Sequence, residues 1–261
     1  MSSEPLYIES HGEGPQLVLL HGWGMHSGVF KPIVDELRSD FNVLVLDLPG
    51  HGDSQAYDGF NNIDMCTDYL LTNLKSRLKG KAIFFGWSTG SLITQNIAIK
   101  NPELVEKIVL ITGTPSFETK PDWLHGVKFD VLEKFKNELT SNFEKTLSRF
   151  LALQFMHSEG QKENLRLARE LVFAKQAPNM DMLQAGLELL KSTDLRKQLE
   201  KIKCDTLILN GERDTLVPTM AARYLAEKIE HAKSVIFRSS GHAPFLSSTK
   251  QFNDNLKQFL L

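Results

Sequence analysis

The stretch that decides the fold is Gly86-Trp87-Ser88-Thr89-Gly90, which lies between two apolar segments of different period. The preceding run, Ala82 to Phe85, has the composition of a buried strand, and the following run, Leu92 to Ile99, has helical spacing. At a sharp strand-to-helix turn, a serine in a G-x-S-x-G pattern keeps its hydroxyl exposed at the carboxyl edge of a sheet, and the glycines leave room for neighbouring backbone. The helix that starts there directs the positive end of its dipole toward the serine. Ser88 is therefore the candidate nucleophile, although the pattern without this context is weak evidence.

Short β-rich runs alternate with helix-period segments through most of the chain, which is typical of parallel strands joined by crossover helices. The runs that we predict to be buried strands are Leu17 to Leu20, Val43 to Leu46, Ala82 to Phe85, Ile108 to Ile111, Thr206 to Leu209 and Ser234 to Phe237. Ahead of them, Tyr7 to Ser10 and the turn at 11–15 predict an antiparallel hairpin that enters the sheet. The predicted fold class is α/β, with a mostly parallel central sheet flanked by helices.

One segment, residues 114–190, breaks the alternation because it has helical periodicity and no convincing strand. We interpret it as a helical lid inserted into a core made of residues 1–113 and 191–261. Its clearest helix is predicted to begin with Ser141 and Glu144, which have the spacing of a capping box. The apolar face of this helix is expected to carry Phe143, Leu147, Phe150 and Leu151.

A serine hydroxyl needs a base to remove its proton and a carboxylate to orient that base. His242 lies in the loop after the last predicted strand, from which its ring can reach the sheet edge where Ser88 is expected. Asp214 lies in the loop after the preceding strand, and Glu212 in the same loop is the competing carboxylate. We predict Ser88, Asp214 and His242 as the catalytic residues, in a chain order that differs from those of the chymotrypsin and subtilisin arrangements.

Acyl transfer also needs N–H donors directed at the oxyanion that develops in the transition state. His21-Gly22-Trp23-Gly24 follows a predicted strand, so we expect the Trp23 backbone N–H to face the pocket together with the N–H of Thr89. The segment Asp47 to Ser54, with the sequence DLPGHGDS, is interpreted instead as a turn that shapes the pocket floor.

Composition excludes several other classes of protein. Of the 261 residues 41% are hydrophobic and 24% are charged, as in ordinary globular proteins, and a formal net charge of −2 excludes nucleic-acid binding driven by net charge. No apolar run approaches the ~20 residues of a membrane span, and Met1 to Tyr7 lacks the features of a signal peptide, so we expect a cytoplasmic protein. No metal and no cofactor is predicted, because the sequence lacks H-E-x-x-H, C-x-x-C and phosphate-binding glycine loops. The two cysteines, Cys66 and Cys204, are expected to be reduced thiols.

Taken together, these motifs resemble the α/β-hydrolase family over almost the whole chain, and the resemblance implies an acyl-enzyme hydrolase. The matching segments are LVLLHGWG at 17–24, DLPGHGDS at 47–54, GWSTG at 86–90, LILNGERD at 207–214 and GHAPF at 241–245. A narrower resemblance is to the esterases of biotin synthesis that cleave the methyl ester of a carrier-bound pimeloyl group. It rests on HGWG at 21–24, GWS at 86–88 and GHAPF at 241–245, together with RFLALQ at 149–154, GLELLK at 186–191 and TDLR at 193–196 in or next to the predicted lid. Thr89 and Ser91 stand where a larger aliphatic residue and a second glycine are common in the family, which bears on the shape of the acyl pocket.

The narrower resemblance also implies a partner, an acyl carrier protein bearing the pimeloyl methyl ester, which contacts basic residues of the lid. Candidate residues for this contact lie at helical spacing on two predicted lid helices: Lys145, Arg149, Lys162, Arg166 and Arg169. The second of these helices is predicted from about Gln161 to Ala177. Solvated helix charges explain the same spacing, and only the resemblance favours carrier docking. We expect Phe150 to line the acyl path to Ser88, Trp23 to contact the substrate, and the chain to be a monomer by default.

Two other classes of protein fit the same residues. One is a serine hydrolase of small free esters or of carbon–carbon bonds, and the other is a ligand receptor that keeps the fold and the triad without turnover. Hydrolysis of a short p-nitrophenyl ester separates an enzyme from a receptor, and hydrolysis of a carrier-bound methyl ester separates the narrower esterase from a general one.

Overall fold

A seven-stranded sheet forms the centre of the protein. The computed structural model describes residues 4–261, apart from the side chains of Phe129 and Phe143. Residues 1–3, at the start of the segment Met1 to Tyr7 in which signal-peptide features were sought, lie outside the described residues. The strands are β1 (Ile8–His11), β2 (Gln16–Leu20), β3 (Asn42–Leu46), β4 (Ala82–Trp87), β5 (Val105–Ile111), β6 (Asp205–Gly211) and β7 (Ala232–Phe237). Each predicted buried strand lies within an observed one. The prediction of an α/β fold with a mostly parallel sheet is confirmed.

The prediction of an entering hairpin is wrong, because β1 does not pair with β2. The strand order is β1-β3-β2-β4-β5-β6-β7, so both edges of β2 are occupied by parallel neighbours. β1 instead adds antiparallel to the outer edge of β3, with Ile8 opposite Leu46 and His11 opposite Val43. The turn at 11–15 therefore carries the chain over β3 rather than back along β1.

Helices cover both faces of the sheet. Their bounds are α1 (Lys31–Leu37), α2 (Ile63–Leu74), α3 (Thr89–Lys100), α4 (Phe129–Ser141), α5 (Phe143–Leu153), α6 (Gln161–Val172), α7 (Met180–Ser192), α8 (Thr219–Lys228), α9 (Pro244–Ser247) and α10 (Thr249–Leu260). Alternate residues of β2 belong to different cores, since Val18 and Leu20 pack with α2, α3 and α8, whereas Leu17 and Leu19 pack with α1 and α10. Within residues 4–261, no helix is long and apolar enough to cross a membrane.

The helices α4 to α7 lie between β5 and β6, in the segment predicted as a lid, and the exact division into core and lid stays a prediction. The predicted capping box is wrong: Ser141 is the last residue of α4, and its hydroxyl donates to the carbonyls of Asn137 and Glu138. A hydroxyl already bonded to the preceding turn cannot cap the helix that follows. Of the predicted apolar face, Leu147 and Leu151 are buried, whereas the Phe143 side chain lies outside the described residues.

Parallel pairing brings the carboxyl ends of several strands to one edge of the sheet. Leu20 at the end of β2 pairs with Gly86 near the end of β4, and Gly211 at the end of β6 pairs with Phe237 at the end of β7. The loops that leave these strands therefore meet at the same edge, which is where parallel α/β sheets bind ligands.

Candidate active site

Ser88 occupies the turn between β4 and α3 in a strained backbone conformation. Its φ and ψ are 57° and −115°, a combination that costs a non-glycine residue roughly 1–3 kcal/mol and persists only where the surroundings enforce it. The Ser88 N–H donates to the Ile111 carbonyl at 3.0 Å, and a Cβ at Gly86 or Gly90 would lie about 2 Å from the backbone oxygen of Gly90 or Leu20, respectively. The two glycines of the motif are therefore required by close backbone approach at the turn.

His242 and Asp214 form a buried hydrogen-bonded pair. The His242 Nδ1–H donates to Asp214 Oδ2 at 2.7 Å, while Asp214 Oδ1 accepts from the backbone N–H groups of Leu216 at 2.8 Å and Val217 at 3.0 Å. This bonding fixes the carboxylate and leaves the His242 Nε2 lone pair free to accept a proton. That Nε2 is buried and has no hydrogen-bond partner within residues 4–261. The Glu212 side chain, the competing carboxylate, is exposed.

The loop after β2 lies directly against Ser88. A Cβ at Gly22 would be 3.2 Å from Ser88 Cβ, so the Trp23 backbone lies beside the serine. Thr89 is the first residue of α3, where an N–H has no acceptor inside the helix. Among the described residues, neither the Trp23 nor the Thr89 N–H donates to a protein acceptor. The two donors and the α3 dipole are thus placed to stabilise a negative oxygen bonded to a carbon at Ser88.

An apolar cavity opens over Ser88 and His242 and encloses about 620 Å³, open solvent at its mouth included. Apart from Ser88, His242 and Trp23, its lining is aliphatic or phenyl: Phe117, Val127, Val131, Leu132, Phe135, Phe150, Leu153, Leu187, Leu190 and Leu216. The Trp23 indole N–H is already used, because it donates to the Leu183 carbonyl of α7 at 2.8 Å. The cavity therefore accepts an uncharged chain and offers no partner to a charged one.

The Asp47 to Ser54 turn lies behind the Trp23 loop and makes contacts that fit an architectural role. Burial lowers the pKa of His21 to about 3 and that of His51 to about 4, so both rings are neutral. His21 accepts the Leu48 N–H at 2.9 Å and His51 accepts the Gly24 N–H at 3.3 Å. Two buried neutral rings thus join this turn to the loop that carries Trp23.

Asp47 is a completely buried carboxylate at the start of the same turn. Burial acts to raise its pKa, but hydrogen bonds from the Asp53 N–H, the Lys175 ammonium and Ser27 act in the opposite direction, and the pKa lies below its usual range. Lys175, which follows α6, donates to Asp47 Oδ2 at 2.8 Å. Sequence reasoning missed Lys175, because nothing in its local sequence indicates a carboxylate 128 positions away.

The structure separates the predicted lid residues into two groups. Phe150 lines the cavity and packs edge-on against Trp23, with ring centroids 5.0 Å apart. The five basic residues are exposed on α5 and α6: Lys145, Arg149, Lys162, Arg166 and Arg169. Arg149 pairs with Glu138 of α4 and Arg166 with Glu170, whereas Lys145 and Lys162 have no ion-pair partner in the described part of the chain. Within residues 4–261, no cluster of His, Cys, Asp and Glu side chains could hold a metal ion.

Residues 15–249 match the family described as the alpha/beta hydrolase fold. The chain belongs to the α/β-hydrolase family. Three relatives called pimeloyl-[acyl-carrier protein] methyl ester esterase, from Nitrosomonas europaea, Proteus mirabilis and Vibrio atlanticus, are each 37% identical to it. The matches cover 95%, 96% and 98% of this chain and 96%, 95% and 98% of the relatives, in that order.

Solved structures of other α/β-hydrolases share the fold of the chain at lower sequence identity. An esterase from Exiguobacterium antarcticum superposes with a TM-score of 0.89 at 23% identity, covering 97% of this chain and 94% of that one. The enol-lactonase from Burkholderia xenovorans gives 0.85 at 22% identity, covering 98% and 96%. These likenesses bear on the fold alone.

Proposed function

We propose that the protein is a serine carboxylesterase that hydrolyses the methyl ester of pimeloyl-[acyl-carrier protein] in biotin synthesis. The observation that carries the chemistry is the convergence of Ser88 and the Asp214-bonded His242 on one apolar cavity. We choose this substrate because three relatives that match nearly the full chain are called pimeloyl-[acyl-carrier protein] methyl ester esterase.

In this proposal Ser88 Oγ attacks the ester carbonyl while His242 Nε2 takes its proton. The negative oxygen of the tetrahedral intermediate accepts from the N–H groups of Trp23 and Thr89, and Asp214 stabilises the imidazolium. Collapse of the intermediate breaks the bond to methoxide, which leaves as methanol with the proton from His242. Water then attacks the acyl-enzyme with His242 again as base, releasing the free carboxylate and restoring Ser88.

The cavity supports a neutral methyl ester as the group that enters. Transfer of an unpaired carboxylate into apolar surroundings is strongly unfavourable, and apart from His242 the lining offers no basic side chain to pair with one. A methyl ester enters without this cost. The carboxylate product bears the cost, which favours its release from the cavity. The enzyme thus acts on the ester and does not retain the acid.

The carrier protein is proposed to dock on the basic residues of α5 and α6. The ion pairs of Arg149 and Arg166 are exposed, so they are weak and an acidic partner can compete with the glutamates. Lys145, Lys162 and Arg169 are exposed and lack ion-pair partners in residues 4–261, so they are the cations most available to such a partner. The monomeric state and the cytoplasmic location stay predictions from the sequence.

The test measures methanol release from carrier-bound pimeloyl methyl ester by the wild type, by Ser88→Ala and by Ser148→Ala, a matched change on α5. We expect Ser88→Ala to lose at least ~10³-fold in turnover with an unchanged melting temperature, and Ser148→Ala to retain activity. Activity retained by folded Ser88→Ala refutes the mechanism. Hydrolysis of p-nitrophenyl butyrate without hydrolysis of the carrier-bound ester would identify a general esterase, and the absence of both would identify a receptor.

A further inference from the structure

The connection between α5 and α6, residues 154–160, lies against the loops that carry Asp214 and His242; we call this connection the strap. Four hydrogen bonds join the strap to these loops: His242 N to Gln154 O at 2.8 Å, Gly241 N to Ser158 Oγ at 2.8 Å, Glu159 N to Ser239 O at 2.9 Å, and Arg213 Nη1 to His157 O at 2.6 Å. The strap therefore contacts both the loop of the base and the loop of the orienting carboxylate.

The strap is tightly packed against its surroundings. Gln154 and Phe155 are each 1% exposed and Ser158 is 7% exposed. A Cβ at Gly241 would lie 2.9 Å from Gln154 O and 3.0 Å from Ser158 Oγ, so the two backbones touch without an intervening side chain. His157 has a φ of 64°, a conformation that a non-glycine residue adopts only where its surroundings hold it. The strap thus transmits its position directly to Gly241 and His242.

The His242 backbone is held from two directions. Its carbonyl accepts from Trp87 Nε1 at 2.8 Å and from Thr112 Oγ1 at 3.0 Å, both at the carboxyl edge of the sheet. Its N–H is held by the strap, at Gln154 O. The His242 carbonyl is therefore held by residues at the sheet edge, and the His242 N–H is held by the strap.

We propose that the strap is a positioning element for the catalytic base, and that Ser158 is a positioning residue that holds the His242 loop through the Gly241 N–H. The inference rests on the proposed function, because it takes His242 as the base. Ser158 touches neither substrate nor reacting atoms. Its effect is to keep Nε2 at the distance and angle at which it can take the Ser88 proton, and a misplacement of 1 Å can cost about 10²-fold in rate. A displacement of α5 or α6 would reach His242 by the same route.

The experiment compares Ser158→Ala, Ser158→Thr and Ser148→Ala with p-nitrophenyl butyrate, since the base is needed for any ester. Ser148 makes no hydrogen bond to either loop among the described residues, so it is the matched control. We expect Ser158→Ala to lower kcat ~10-fold with KM within about twofold, and Ser158→Thr, which keeps the hydroxyl, to restore most of the rate. A kcat equal to that of Ser148→Ala overturns the proposal, and so does a loss that threonine does not restore.

A second variant decides the question if Ser158→Ala does not fold. Arg213 is exposed, so Arg213→Met removes its bond to His157 O with little risk to the fold. We expect a loss in kcat of ~3-fold at constant KM, and an unchanged kcat overturns the proposal. Failure of the strap proposal is separate from failure of the proposed function, because only the latter would leave Ser88→Ala active.

Discussion

Lys175→Met tests a buried ion pair between a lysine and a carboxylate. The Lys175 side chain is 18% exposed and its ammonium lies 2.8 Å from the carboxylates of both Asp47 and Asp53. Asp47 is 0% exposed and keeps only the N–H groups of Ser27, at 2.7 Å, and Asp53, at 2.9 Å, when the ammonium is removed. Methionine retains most of the apolar stem, so the substitution removes mainly the charge.

Removal of one partner from a buried pair costs about 3–5 kcal/mol, because the other charge is left without compensation. The two N–H donors that remain on Asp47 place the expected cost at the lower end, about 3 kcal/mol, or roughly 6–12 °C in melting temperature for a domain of this size. The matched control is Lys31→Met, whose pair with Asp35 at 2.7 Å is exposed on both sides and is expected to contribute less than about 0.5 kcal/mol.

The assay is urea unfolding of the wild type and both variants at pH 7 and pH 5. Without the ammonium, the pKa of Asp47 rises above its unfolded value, so protonation of the folded variant relieves the cost as the pH falls. The gap between the wild type and Lys175→Met should therefore narrow from pH 7 to pH 5. The reasoning is refuted if Lys175→Met costs no more than Lys31→Met, or if the gap does not narrow.

Three further predictions follow from the buried histidines, the acid–base pair and the lid charges. Burial lowers the pKa of His21 to about 3 and of His51 to about 4, so below pH ~6.5 the unfolded chain binds two protons that the folded chain does not. The free energy of unfolding should therefore be highest above that pH and fall by ~4 kcal/mol by pH 5, as measured by urea titrations. Asp214→Asn should lower kcat for p-nitrophenyl butyrate by ~10⁴-fold because the amide favours the wrong tautomer, and a loss below tenfold would contradict the assignment. The double variant Lys145→Glu, Lys162→Glu should raise KM for the carrier-bound ester and make that KM less dependent on salt. Hydrolysis of p-nitrophenyl butyrate should stay unchanged, and equal losses on both substrates would rule out carrier docking.

Much of the candidate site was readable in the sequence because its parts are local. Gly86 to Gly90 predicts a strand-to-helix turn because an apolar run precedes it and a run of helical spacing follows it, and the strands are marked by short apolar runs. Since the carboxyl ends of parallel strands meet at one edge, a polar residue just after a strand is a site candidate wherever its strand lies in the sheet. Ser88, Asp214 and His242 were all predicted in this way.

Other features depend on pairings between distant residues, and the tertiary structure decided them. Local turn chemistry at 11–15 favoured a hairpin, but the edges of β2 were taken by β3 and β4. Ser141 was expected to begin a helix and instead ends one.

What the sequence by itself determined is the set of candidate groups for acyl chemistry and the sheet edge at which they meet. Only the tertiary structure decided how the site and the turn behind it are held: Asp47 of that turn is compensated by Lys175, and the His242 loop is bonded to Ser158, 83 positions from its partner Gly241. Patterns of local spacing can be recognised from the sequence because the residues involved are close together along the chain. The pairing of buried charges and backbone groups is set instead by which surfaces the packed elements bring together, and that follows from the fold as a whole.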